Sequence, residues 1–154
     1  MSDCIDKPLA EPNYSVFEQS MTMNEAMDFC SELGGTLFEP RSSHITRGKV
    51  KDLALEALGH LDDPAIWFGI TDEESEGTFK FLSLESSDSI VWDDWEPGEP
   101  NNMNGVEHCV VMKPKTGTWF DYSCHDLKYP VCEFCSSKLF CLDELPLSIS
   151  IEYF

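Results

Sequence analysis

The spacing of apolar and polar residues predicts two amphipathic helices in the first part of the chain. Thr22 and Glu25 form a capping box, in which each side chain bonds to the backbone of the other residue at a helix start. An apolar stripe at helical spacing follows, and the glycines at 34–35 end it. A second stripe predicts a helix over about residues 43–58 that ends at Gly59. The stripes consist of Ala26, Phe29, Cys30 and Leu33, and of Val50, Leu53, Ala54, Ala57 and Leu58.

Strands are predicted on both sides of these helices. Residues 13–18 are rich in aromatic and β-branched side chains, and residues 65–70 form a short apolar run typical of a buried strand. Residues 78–81 alternate as a half-exposed strand does, and residues 106–112 and 128–134 complete the set. Helices, a long loop and strands in this order predict an α+β fold.

Residues 85–104 are dominated by Ser, Asp, Pro, Gly and Asn, which is a composition typical of a loop. A loop of this length without structure of its own is uncommon in a compact domain unless it has a function. We therefore expect a functional segment here. The tryptophans are expected to pack in the core or at the base of the loop: Trp67, Trp92, Trp95 and Trp119.

The charge of the chain limits the classes of partner. Its 154 residues are the size of one domain, and its formal net charge is -19 at pH 7. Nucleic acid and anionic membrane surfaces are therefore not expected as partners, whereas cations and neutral ligands fit. The sequence has no apolar run of about 18 residues or more, so we expect no membrane insertion.

Carboxylates and amides are concentrated in and just after the long loop. Within residues 99–121 the chain has three acids and two amides whose oxygens could share one cation. Oxygen ligands of this kind suit Ca²⁺, and nitrogen and sulfur donors at zinc spacing are absent from the segment. The candidates are Glu99, Glu107, Asp121, Asn101 and Asn102.

The motifs in this segment, taken together with an upstream motif, resemble the C-type lectin domain. They are Glu99-Pro100-Asn101, Glu107 two residues before Cys109, Trp119-x-Asp121, Cys124, Val131-Cys132-Glu133, and upstream Trp67-Phe68-Gly69-Ile70. The resemblance covers about residues 4–134. It implies a C-type lectin-like fold, with two helices, antiparallel sheets and a long calcium-binding loop, in a domain over residues 1–134. The extension over 135–154 lies beyond it, and residues 145–151 fit either an added edge strand or a disordered tail.

The resemblance also implies a calcium-dependent binding site for sugars. A cis peptide bond before Pro100 would aim the side chains of Glu99 and Asn101 at one point. In this family Glu-Pro-Asn accompanies mannose, fucose and N-acetylglucosamine, so glycans of the mannose type are the expected partners. The principal calcium ligands would be Glu99, Asn101, Glu107 and Asp121, and the sugar contacts would be these four residues and Phe120.

Phe120 departs from the family pattern, which has asparagine at this position. Phenylalanine supplies neither a calcium oxygen nor a sugar hydrogen bond. One interpretation is that Phe120 stacks on a sugar face. The other is that sugar binding is weak or lost and that the domain is a protein-interaction module. Catalysis is not expected, because carboxylates that share a cation stay ionised, whereas a general acid needs a raised pKa.

A second calcium position is implied at Asp72, Glu76 and Asn102, together with the backbone of Glu107. Asn102 replaces a common aspartate there, and His108 stands where another acid often lies. Fewer charged ligands predict weaker calcium binding. We expect His108 to be a surface residue, because imidazole is a poor ligand for a hard cation.

The seven cysteines indicate an oxidising compartment, and we expect a secreted or extracellular protein although residues 1–3 do not begin a signal peptide. The resemblance implies the pairs Cys30–Cys132 and Cys109–Cys124. Cys4 either stays free or bonds elsewhere, with Cys135 and Cys141 as the candidates. Because seven is an odd number, one of these three cysteines either links two chains in a homo-oligomer or is a free thiol. Asn13-Tyr14-Ser15 is a sequon, so Asn13 is a candidate for glycosylation.

Overall fold

The computed structural model describes residues 12–41, 44–83, 90 and 93–134. It contains strand β1, helix α1, strand β2, helix α2 and strands β3 to β7, in that order. Their bounds are β1 Asn13–Val16, α1 Met23–Glu32, β2 Thr36–Leu37, α2 His44–Leu58, β3 Ile66–Thr71, β4 Lys80–Phe81, β5 Glu107–Lys113, β6 Thr118–Ser123 and β7 Val131–Phe134. A short 3-10 helix, Met103–Gly105, precedes β5. The extension, Trp92 and the cysteines at 4, 135 and 141 lie outside the described residues.

The capping box at the start of α1 is confirmed. Thr22 Oγ1 accepts a hydrogen bond from Glu25 N at 3.3 Å, and Glu25 Oε2 accepts one from Thr22 N at 2.9 Å. Two backbone N–H groups that a helix start leaves unpaired are thus satisfied. Gly34 follows the helix with φ of +87°, a left-handed conformation that glycine adopts without strain.

The strands form two antiparallel sheets, as an α+β fold requires. The smaller has the order β1-β7-β2, and the larger has the order β4-β3-β5-β6. The pattern did not predict β2, which has only two residues, or β6. In β6 the buried positions are Trp119 and Asp121, so a carboxylate stands where alternation would place an apolar side chain.

The buried face of α2 packs into the core through Val50, Ala54 and Leu58. The predicted packing role of the tryptophans is confirmed for the three that the structure describes. Trp67 is buried, and its Nε1 donates to the Met21 carbonyl at 2.8 Å. Trp119 is buried, and the half-buried Trp95 ring packs on it at 5.8 Å. Trp95 therefore anchors the long loop to β6.

Both predicted disulfides are present. Cys30–Cys132 joins α1 to β7, and Cys109–Cys124 joins β5 to the residue that follows β6. The first spans 102 residues of sequence and the second spans 15. The second holds together the two strands that carry Glu107 and Asp121.

Candidate calcium and sugar site

Two strands and the loop before them bring three carboxylates together. Glu107 begins β5 opposite Ser123, and Asp121 lies in β6 opposite Val110. Glu99 comes from the loop, where its peptide bond to Pro100 is cis. Glu99, Glu107 and Asp121 each offer an oxygen, and these oxygens all lie within 4.8 Å of one another. The residues that the sequence predicts as acidic calcium ligands are therefore adjacent.

Asp121 organises the loop around this cluster. Its side chain is buried, and its Oδ1 accepts the Asn101 N–H at 2.9 Å. Its Oδ2 accepts the Asn102 N–H at 2.7 Å. A buried carboxylate needs such partners, and hydrogen bonds to a charged acceptor are stronger than neutral ones. The Glu-Pro-Asn segment is thus fixed to β6 by its own backbone.

The two amides connect the remaining parts of the site. Asn101 Nδ2 donates to Glu99 Oε1 at 2.5 Å, and Asn101 Oδ1 accepts Met103 N at 2.8 Å. Asn102 has a left-handed backbone with φ of 44°, and its Oδ1 accepts Glu107 N at 3.2 Å. Glu107 Oε2 in turn accepts Met103 N at 3.0 Å. The side-chain amides of Asn101 and Asn102 thus link the loop residues to one another and to the start of β5.

Burial and neighbouring carboxylates raise the pKa values of Glu99 and Glu107. Burial, followed by the hydrogen bond and negative charge of Asp121 and the charge of Glu107, raises the pKa of Glu99 to about 7. Burial also raises the pKa of Glu107, together with the charges of Asp121 and Asp126 and against a hydrogen bond from Met103. A divalent cation would relieve this repulsion. The donors are oxygens of carboxylates and amides, which fit Ca²⁺ and not a softer metal.

Residues 19–134 match the family model of the lectin C-type domain. The chain belongs to this family. It is 34% identical over 116 residues to pulmonary surfactant-associated protein D of Sus scrofa, covering 73% of this chain and 28% of that protein. It is 34% identical over 124 residues to collectin-11 of Danio rerio, covering 79% of this chain and 42% of that protein. The chain thus spans less than half the length of these relatives.

A solved structure shows the same fold. The mouse scavenger receptor C-type lectin carbohydrate-recognition domain superposes with a TM-score of 0.69 at 22% identity. The alignment covers 85% of this chain and 94% of that one. The predicted C-type lectin-like architecture, with two helices and antiparallel sheets, is therefore confirmed for this lectin domain.

Phe120 does not join the carboxylates of this lectin domain. Successive residues of a strand point to opposite faces, so Phe120 points away from the face that carries Asp121. Its ring lies 6.3 Å from the Tyr122 ring, and Lys113 Nζ lies 4.5 Å from its centroid. A sugar contact by Phe120 stays a prediction.

Two residues of the implied second calcium position, Asp72 and Glu76, lie close together. Asn102 Oδ1 accepts the N–H of Glu107, whose backbone belongs to the same implied position. The third residue that offers a ligand atom beside the two carboxylates is His108, which was expected at the surface. Burial lowers the pKa of His108, but the hydrogen bond and charge of Asp72 and the charges of Glu76 and Glu73 outweigh it and raise the pKa. The sequence offers one indication of this contact, because a histidine follows Glu107 where another acid often lies.

The raised pKa of Glu99 gives a pH dependence whose sign can be worked out. In the unfolded chain the value is near 4.5, so the calcium-free fold holds an extra proton between about pH 4.5 and 7. The stability from this group is present below pH 4.5 and is lost as the pH rises through 7. We expect the unfolding temperature of calcium-depleted protein to fall over this range, and the fall to be smaller in Glu99→Gln. Equal slopes in the two proteins would contradict the raised pKa.

Proposed function

We propose that this domain is a calcium-dependent lectin that recognises glycans of the mannose type, including fucose and N-acetylglucosamine. The observation that supports this most is the fixed cluster of carboxylates beside Glu99-Pro100-Asn101, with Asp121 bonded to the loop backbone. The mouse domain of the same fold is named a carbohydrate-recognition domain, which is consistent with the proposal. We further propose that the protein acts outside the cell, since disulfides persist in oxidising compartments.

The residues of the site would divide the work. Oxygens of Glu99, Asn101, Glu107 and Asp121 would hold the ion. Bound calcium supplies coordination positions that two neighbouring sugar hydroxyls can take from water. A carboxylate such as Glu99 accepts a hydrogen bond from a sugar hydroxyl, whereas the N–H of the Asn101 amide donates one. The order of donor and acceptor then selects the orientation of the hydroxyls, because a mismatched sugar leaves polar groups unpaired.

Retention on immobilised mannose in calcium, followed by elution with a chelator, tests the proposal. We expect retention, elution by chelator, and competition by free mannose but not by galactose. Acidification to about pH 4.5 is also expected to elute the protein, because protons compete with calcium for the carboxylates. Flow-through of folded protein, checked by circular dichroism, would contradict sugar binding.

Exchanging the donor and acceptor is expected to change the preferred sugar. In the double variant Glu99→Gln with Asn101→Asp, the amide and the carboxylate swap places without a change in net charge. We expect affinity to shift from mannose towards galactose, because the hydrogen-bond order is reversed. The matched control is Glu96→Gln with Asn104→Asp, the same exchange elsewhere in the loop. An unchanged ratio of mannose to galactose binding in the first variant would count against the proposed geometry.

The alternative function is a protein-interaction module with weak or no sugar binding. The observation in its favour is Phe120, because its side chain provides no oxygen and faces away from Asp121. The two functions differ in the mannose experiment. If the protein binds calcium but is not retained on immobilised mannose, the loop serves another partner.

Assembly and glycosylation are part of the proposal. A homo-oligomer, linked through an extra cysteine or without one, would strengthen weak single sites. Asn13 is exposed at the start of β1, which suits a glycosylation acceptor.

Neither helix of the described residues is long and apolar enough to cross a membrane.

A further inference from the structure

His108 makes a second cluster that is separate from the principal carboxylates. Its Nδ1 lies 3.1 Å from Asp72 Oδ1 and 3.3 Å from Glu76 Oε2. The Asp72 side chain is 1% exposed, whereas those of His108 and Glu76 are 31% and 53% exposed. The imidazole thus covers a buried carboxylate from the solvent side. Asp72 and Glu76 are two of the residues that the family resemblance implies for a second calcium ion.

The aim of the His108 side chain follows from a β-bulge. Between β5 and β6, Glu107 pairs with Ser123 and Cys109 pairs with Tyr122, so His108 is an extra residue in β5. Bulges of this kind redirect a side chain away from the regular alternation of the strand. The position is also fixed on the backbone side, where the His108 carbonyl accepts Thr71 Oγ1 at 2.7 Å.

The chemistry at this point suits a hydrogen bond and not a calcium ion. Ionised Asp72 and Glu76 can only accept hydrogen bonds, so the Nδ1 between them carries the proton, whether the ring is neutral or charged. Calcium needs about 6–8 oxygens at roughly 2.3–2.6 Å. An ion that bound both carboxylates would need the space that Nδ1–H fills. Asp72 Oδ2 is also engaged, because it accepts Gly77 N at 2.9 Å.

We infer that His108 takes the place of the second calcium ion, so that this domain binds one calcium ion at the principal site and none at Asp72 and Glu76. The imidazole gives a metal-free link between the turn after β3 and the start of β5. A further backbone bond, from Asp72 N to the His108 carbonyl at 3.2 Å, supports the same link. Glu107, the neighbour of His108, is therefore positioned without a second ion. This inference rests on the calcium part of the proposed function.

Counting the bound calcium ions by titration calorimetry, in the unaltered domain and in a set of variants, tests the inference. We expect one site in the unaltered domain and two in His108→Asp, because aspartate opens the space and adds oxygens. The second site should disappear again in His108→Asp with Asp72→Asn. His108→Asn, which adds a neutral oxygen, gives a second variant should the aspartate disturb folding. His125→Asp is the matched control, since His125 is exposed and outside the cluster. It should keep one site.

Each outcome bears on the inference separately from the proposed function. Two calcium sites in the unaltered domain, one of them lost in Asp72→Asn, would overturn it. A folded His108→Asp variant and a folded His108→Asn variant that both keep a single site would also overturn it. No calcium site in the unaltered domain and one in His108→Asp would support the inference that His108 takes the place of the second calcium ion. That result would instead contradict the principal calcium site, and with it the proposed function.

Discussion

Replacing Asp121 with alanine is expected to abolish retention on immobilised mannose and to weaken calcium binding by tenfold or more. The variant loses a calcium ligand and also leaves the Asn101 and Asn102 N–H groups without their acceptor. A hydrogen bond to a charged group contributes about 1.5–3 kcal/mol, and about 1.4 kcal/mol corresponds to a tenfold change in an equilibrium constant. Titration calorimetry with calcium and the resin experiment measure the two losses.

The matched control for this variant is Asp126→Asn. Asp126 lies close enough to Glu107 for its charge to act on it, but it is not a member of the carboxylate cluster. We expect the control to keep both calcium and sugar binding. If Asp121→Ala retained its affinity for calcium while folded, the ion would have to bind elsewhere and the proposed site would be wrong.

Removing the Cys30–Cys132 disulfide is expected to cost more stability than removing Cys109–Cys124. In the chain-entropy model a closed loop of about 100 residues contributes roughly 4.7 kcal/mol and one of about 15 residues roughly 3 kcal/mol. The sequence separations here are 102 and 15. Guanidinium unfolding of Cys30→Ala with Cys132→Ala, beside Cys109→Ala with Cys124→Ala, compares the free energies of unfolding.

The two pairs of variants act as controls for each other, because each removes two sulfurs and leaves the other of these two disulfides in place. We also expect them to differ in function. Loss of Cys109–Cys124 removes the covalent link between the two strands that carry Glu107 and Asp121. We therefore expect it to weaken calcium binding more than loss of Cys30–Cys132 does, although it costs less stability. An equal or smaller stability loss in the Cys30 and Cys132 variant would contradict the loop-length argument.

Much of the fold could be predicted because local sequence and tertiary structure agree. The capping box at Thr22 begins α1, and the apolar run at residues 65–70 contains all of β3 except Thr71, its one residue that is not buried. β6 was missed because Asp121, a buried acid, breaks the apolar alternation that marks a strand. β2 has only two residues and depends on its pairing with β7, which no local pattern indicates.

The site was predictable in its members but not in its internal bonds. The motif around Glu99 identified the acids that the structure brings together. The acceptor role of Asp121 towards the loop backbone depends on the packing of the loop on β6, which sequence does not show. The direction of Phe120 follows from strand alternation, and β6 had not been predicted. The contact of His108 with Asp72 depends on a bulge, for which the sequence had no marker.

The position of the Cys30–Cys132 disulfide also determines how the domain would respond to a mechanical pull on its two ends. Asn13 pairs with Phe134 in the β1–β7 ladder, so these two residues lie side by side. Tension on them would separate the paired residues of the ladder one after another, starting from this pair. The disulfide then carries the force directly from Cys30 to Cys132. Residues 31–131 form a closed covalent loop outside the line of tension. Glu99, Glu107 and Asp121 lie within this covalent loop, so tension on the two ends would not act directly on the carboxylate cluster.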